Sequence, residues 1–167
     1  MAVTAKHFPG HGGTGDPHLD ATVDDSSLAD LMTEDLTPFR ALIAQGAESV
    51  MVGHVTYPEV WGELPASLEP RAYELLRAQG FEGVAITDAL GMGAVHSRWG
   101  FDEAPAMAVA AGADVVLVNQ GDQVAVLHDG LVDAVEEGHL VEERLDEAVS
   151  RVLALRGQDP TGIVCVG

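Results

Sequence analysis

Along the chain, short runs of apolar, largely β-branched residues alternate with longer stretches in which apolar residues recur at helical spacing. The clearest short runs are Ser49-Val50-Met51-Val52-Gly53-His54-Val55, Gly83-Val84-Ala85-Ile86-Thr87 and Asp114-Val115-Val116-Leu117-Val118, and a briefer one, Ala2-Val3-Thr4, opens the chain. Continuous apolar runs of this kind read as strands buried on both faces, the pattern of a parallel sheet. Between this opening run and Ser49, Leu31, Leu36, Phe39, Leu42 and Ile43 keep helical spacing up to Gly46. Thr37-Pro38 fits an N-cap followed by proline at the first helical position, or a kink in a helix that starts earlier. Ser67 is placed to cap the next helix, with Glu69 and Pro70 in its first turn and Gly80 closing it. Further helices are expected at about Glu103 to Ala111, Gln123 to Glu137 and Val141 to Arg156.

The order strand, loop, helix therefore repeats four times, which predicts an α/β fold with a parallel sheet. Polar residues gather where the strands end, at His7, His54, Asp88 and Asn119. In parallel α/β folds ligands bind at that edge, whether the sheet is open or closed into a barrel. The stretch after the first strand, Ala5 to Asp20, cannot be helical because Pro9, Pro17 and its glycines break the period. It gathers Lys6, His7, His11, Asp16, His18 and Asp20 into one polar loop with the look of an active site.

Composition narrows the partners. The formal charge is −19, from 27 acidic against 8 basic residues, and Lys6 is the only lysine. Such a chain repels nucleic acid and anionic membrane surfaces, so neither is expected as a partner. Cys165 is the only cysteine, which excludes an intrachain disulfide and a cysteine-based zinc site. No run reaches the roughly 18 apolar residues of a membrane span, and the N-terminus lacks a signal peptide's basic and apolar regions. The chain as written is expected to be cytoplasmic, with any export signal lying in a part that precedes it.

Asp88 ends an apolar strand and is followed by a loop of small residues, Ala89, Gly91, Gly93 and Ala94, that leaves room for a ligand above the carboxylate. So placed, it could be a nucleophile, a general base, a metal ligand or the cap of the next helix. Asp16 and His18 lie two apart, where an extended backbone points both side chains the same way. An aspartate beside an imidazole fixes its tautomer and makes it a competent proton donor and acceptor; the alternative is a surface turn before Pro17. Lys6 could clamp substrate hydroxyls or pair with a carboxylate. His7, His11, Asp16, His18 and Asp20 could also hold a metal, but Pro9, Gly10 and Gly12 deny the helix that His-x-x-x-His spacing uses. No metal and no cofactor is expected.

Lys6-His7-Phe8-Pro9-Gly10-His11-Gly12 followed by Asp16-Pro17-His18 resembles the signature of glycoside hydrolase family 3, in its β-N-acetylglucosaminidase branch. Met51-Val52-Gly53-His54-Val55 and Ile86-Thr87-Asp88-Ala89-Leu90-Gly91-Met92 resemble later strands of that family in the expected order, the second carrying its nucleophile. Pro17 stands where the family has Ser or Thr. The resemblance implies that residues 1–156 form four βα units, the second half of a (β/α)8 TIM-type barrel, with 157–167 as a tail. It implies a retaining hydrolase acting on N-acetylglucosaminides such as peptidoglycan fragments, with Asp88 as nucleophile and His18, oriented by Asp16, as acid and base. Lys6 and His7 match positions that contact the sugar; Met92 is a further candidate, and His54 reads as a packed or hydrogen-bonded strand-end histidine, with contact to the sugar as the alternative. A half-barrel lacks the first four strands and the aspartate and arginine they bring, so weak or absent activity and either self-association or a missing N-terminal half are expected; the alternatives are a non-catalytic half-barrel and a His/Asp metal-dependent hydrolase.

Overall fold

In a computed structural model, which describes residues 3–11 and 21–159, the apolar runs become six strands. In chain order they are β1 (Thr4–Phe8), β2 (Thr22–Val23), β3 (Ser49–Val52), β4 (Val55–Thr56), β5 (Val84–Ala89) and β6 (Val115–Leu117). The main sheet runs β1-β3-β5-β6, and every neighbouring pair is parallel. β2 and β4 pair separately, also in parallel. Thr4 to Phe8 form a strand, so Lys6 and His7 stand on it and not in the loop expected to begin at Ala5.

The helices are α1 (Leu28–Asp30), α2 (Leu36–Ala44), α3 (Pro70–Ala78), α4 (Gly93–His96), α5 (Ala104–Ala111), α6 (Gln123–Glu136) and α7 (Glu142–Leu155). Between α1 and α2 the chain winds as a π-helix over Leu31–Asp35, so the first helix begins well before Thr37-Pro38. Its cap is Ser27, in a reciprocal capping box with Asp30. Pro38 has no N–H to offer the turn before it, and side chains bond carbonyls of the widened stretch: Thr37 Oγ1 donates to Thr33 O at 2.9 Å and Arg40 to Met32 O at 2.6 Å. Nor does Ser67 cap α3. Glu69 does, accepting from the Arg71 N–H at 3.1 Å, and Ser67 is free for another task.

Register shows which face of the sheet is covered. Val50 pairs with Ala85, and with Val52 these side chains pack against Leu36 and Phe39 of α2, Tyr73 and Leu76 of α3, and Ala108 of α5. Phe8 adds an edge-on contact with Phe39 at 5.2 Å. The opposite face carries Met51, Ile86 and Val115, which share a register row and are only half-buried. Burial on both faces, expected from the continuous apolar runs, therefore holds for the helix-covered side alone. Leu117 on edge strand β6 is 39% exposed.

The base of the sheet is tied by a charge cluster that the periodic pattern does not announce. The Asp114 carboxylate is completely buried, and accepts from Arg77 at 2.7 Å, Arg144 at 2.6 Å, Arg151 at 3.0 Å and the Ala85 N–H at 3.0 Å. Arg144 also donates to Gly112 O and Ala113 O, and Arg77 to Gly83 O, so the guanidiniums staple α3 and α7 to the starts of β5 and β6. Burial pushes the Arg77 pKa down, against the opposing pull of Asp114. Removing the shared carboxylate leaves these guanidiniums without their buried counter-charge. Asp114→Ala is expected to cost about 3–5 kcal/mol of stability by urea unfolding, and a loss below about 1 kcal/mol would contradict this role.

Candidate functional site

Three neighbouring strand ends meet at one level. Phe8 lies opposite Val52, and Val52 opposite Thr87, so the residues flanking those rows, His7, Gly53 and Asp88, converge. The Lys6–His7 and Phe8–Pro9 peptides are both cis. His7 Nε2 stands 3.3 Å from Asp88 Oδ2, with the two side chains 27% and 17% exposed. The other carboxylate oxygen, Oδ1, accepts from the Ala89 N–H at 2.8 Å. One oxygen of Asp88 is thus anchored to backbone while the other lies beside the His7 ring, an arrangement that suits a nucleophile or an anionic stabiliser.

Gly53 permits this approach, because a Cβ there would lie 3.1 Å from His7 Cβ. Gly91 serves the same purpose beyond Asp88: a Cβ would come within 2.9 Å of Asn119 Oδ1, so Asn119 packs onto the loop. Lys6 is exposed. The His11 ring is tilted against His7 at 5.6 Å between centroids. Asp16, His18 and Asp20 lie outside the described residues. Among the described residues no group of three His, Cys, Asp or Glu side chains is placed to hold a metal.

Two candidate sugar contacts lie buried. His54 is 1% exposed and bonds inward through both ring nitrogens, to Ser67 Oγ at 2.7 Å and Ala89 O at 3.0 Å. Met92 is 4% exposed. Each follows a strand end closely in sequence, but the turn carries it beneath the surface, leaving almost no side-chain area for a ligand. A surface cleft of about 540 Å³ lies elsewhere, between α5 and α6, lined by Asp102, Met107, Asp133 and His139 among others.

The start of the Gly-rich loop is held by groups that sequence reasoning missed. Tyr57 O–H donates to Gly10 O at 2.9 Å, and burial, then Asp24 and Asp35, push its pKa far up, so it remains a donor. A Cβ at Gly10 would lie 2.3 Å from Asp35 Oδ1, so this glycine makes room for a carboxylate delivered by the π-helix. The only signal in the sequence was the Gly after Pro9. The Asp35 pKa is raised, by burial first and then by Asp24 and Glu34. A carboxyl whose folded pKa exceeds its unfolded one binds more protons when folded. Stability then falls as pH rises from the unfolded value of 3.8 through the raised folded one. Asp35→Asn is expected to flatten that slope and raise stability at pH 7 relative to wild type; urea unfolding at several pH values checks it, and an unchanged slope would contradict it.

Comparison with known proteins bears on this geometry. Residues 1–155 match the Glycosyl hydrolase family 3 N terminal domain. The chain is 40% identical over 163 residues to the β-hexosaminidase LpqI of Mycobacterium tuberculosis, covering 93% of this chain and 42% of that protein. It is 44% identical over 147 residues to a β-hexosaminidase of Stenotrophomonas maltophilia, covering 86% of this chain and 41% of that one. Among solved structures, a family 3 β-N-acetylglucosaminidase from a Paenibacillus species superposes with a TM-score of 0.90 at 39% identity, over 100% of this chain and 33% of that chain. The chain thus spans about two fifths of the length of these curated relatives.

Proposed function

Because the chain belongs to glycosyl hydrolase family 3, we propose that its strand-end site is the nucleophile half of a retaining β-N-acetylglucosaminidase. The observation that carries the reading is Asp88, a half-buried carboxylate at the C-terminal end of a central parallel strand, with His7 beside its outward oxygen. In this reading Asp88 attacks the anomeric carbon, forming a glycosyl ester as the glycosidic C–O bond breaks. His18, oriented by Asp16, gives its proton to the leaving oxygen. It then takes a proton from water, which attacks the same carbon and frees both sugar and Asp88. A histidine suits both half-reactions because its ordinary pKa lies near neutrality. Lys6 and His7 hold the sugar. His54 and Met92, being buried, leave that role.

The names of the relatives support an N-acetylhexosaminide substrate, and peptidoglycan fragments are the source we favour. The four main-sheet strands correspond, in this reading, to the second half of an eight-stranded barrel, with residues 1–156 as that half and 157–167 as a tail. The uncovered row Met51, Ile86, Val115 is its lumen, and further strands add at the free edges of β1 and β6, supplied by a preceding segment or a second copy.

Hydrolysis of an aryl N-acetyl-β-glucosaminide tests the assignment. Asp88→Asn is expected to remove about a thousandfold or more of whatever rate the wild-type chain shows. Equal rates in the two proteins would contradict the role given to Asp88.

A further inference from the structure

We propose that His54 and Ser67 form a buried positioning pair that fixes the peptide carbonyl next to Asp88 and so holds the direction of the Asp88 carboxylate. The consequence for turnover rests on Asp88 being the nucleophile; the positioning itself does not.

His54 is 1% exposed and Ser67 fully buried, and buried imidazoles and hydroxyls must find partners. Ala89 O, 3.0 Å from His54 Nε2, can only accept, so Nε2 carries the hydrogen. In the neutral ring Nδ1 is then an acceptor, and it takes the Ser67 O–H at 2.7 Å. Ser67 cannot drift: its N–H donates to Gly53 O at 3.0 Å, and its carbonyl accepts from Tyr73 O–H at 2.8 Å. The ring is therefore fixed in tautomer and orientation by a residue that is itself clamped.

Ala89 is the residue through which this reaches the site. Its N–H donates to Asp88 Oδ1, and its carbonyl accepts from His54. The carbonyl also accepts from the Met92 N–H at 3.0 Å, but that bond lies within the turn and moves with it. The His54 bond crosses 35 positions and ties the turn to the end of the neighbouring strand, where Gly53 packs against His7. One connector, Gly53-His54, thus packs against His7 and hydrogen-bonds the residue next to Asp88. Displacements of well under 1 Å matter to a nucleophile that must align with a reacting carbon, which gives a side chain outside the site leverage over rate.

The test is amide exchange at Ala89, read by NMR on the full chain and its variants. His54→Leu removes the donor, and His54→Gln restores one near the Nε2 position. Ser67→Ala leaves the ring but frees it. Exchange at Ala89 is expected to quicken about tenfold in His54→Leu, to rise by a smaller factor in Ser67→Ala, and to stay within about threefold of wild type in His54→Gln. The ring nitrogen spectrum of wild-type His54 is expected to show the Nε2–H tautomer. A folded His54→Leu with unchanged Ala89 exchange overturns the proposal, as does a His54→Gln as fast as His54→Leu. Should His54→Leu fail to fold, unchanged exchange in Ser67→Ala overturns it. Where the wild type turns over an aryl N-acetylglucosaminide, His54→Leu lowers kcat with KM held and His54→Gln recovers most of it. Turnover requires the missing strands to be supplied, whereas the exchange rates decide the positioning on the chain alone.

Discussion

Parallel pairing of β1, β3 and β5 sets Phe8, Val52 and Thr87 in neighbouring rows, and from that register the positions of His7 and Asp88 follow. Side chains alternate along a strand, so a slip of one residue would send Asp88 to the helix-covered face and His7 away from it. The register is specified because Val50, Val52 and Ala85 must meet the helices, and burying that row forces Met51, Ile86 and Asp88 to the other side. Hydrophobic packing on one face therefore aims the chemistry on the other.

The two ends of the sheet use charge in opposite ways. At the base, Asp114 is wholly enclosed and shared among three guanidiniums, a fixed arrangement that holds α3 and α7 on the strands. At the other end Asp88 has one oxygen anchored and one outward, with a histidine in place of a permanent cation. A carboxylate locked by arginines is a poor nucleophile, because its charge is already neutralised. In a chain with 27 acidic residues and 8 basic ones, committing three arginines to the base leaves few cations for a sugar site. Lys6 and the histidines of the first loop are the ones our proposal assigns to it.

Much of the fold was legible because it rests on local patterns. The apolar runs ending at Val55, Thr87 and Val118 hold strands that end at Val52, Ala89 and Leu117, and Asp88 stood out because a carboxylate interrupts such a run where it ends. The errors came where distant partners decide. Ser67 read as a helix cap until its hydroxyl was seen to serve His54, and His54, read as a packed or hydrogen-bonded histidine, gave no sign that Ser67 and Ala89 were its partners. Pro38 announced a disturbance, yet a π-helix could not be told from a helix start, since both accommodate a missing N–H. Asp114 gave no sign of its arginines, which stand 30 or more positions away. Asp16 and His18 lie outside the described residues, so their pairing rests on the loop's resemblance to the family.

The central claim is that strand register places Asp88, and no other carboxylate, where an anomeric carbon reacts. Incubating the chain with a fluorinated N-acetylglucosaminyl donor that forms the glycosyl ester faster than it is hydrolysed, then mapping the adduct by peptide mass spectrometry, tests it most directly. One sugar on the peptide carrying Asp88, absent from Asp88→Asn, is the predicted result. An adduct on another residue, or one that persists in Asp88→Asn, would contradict the account.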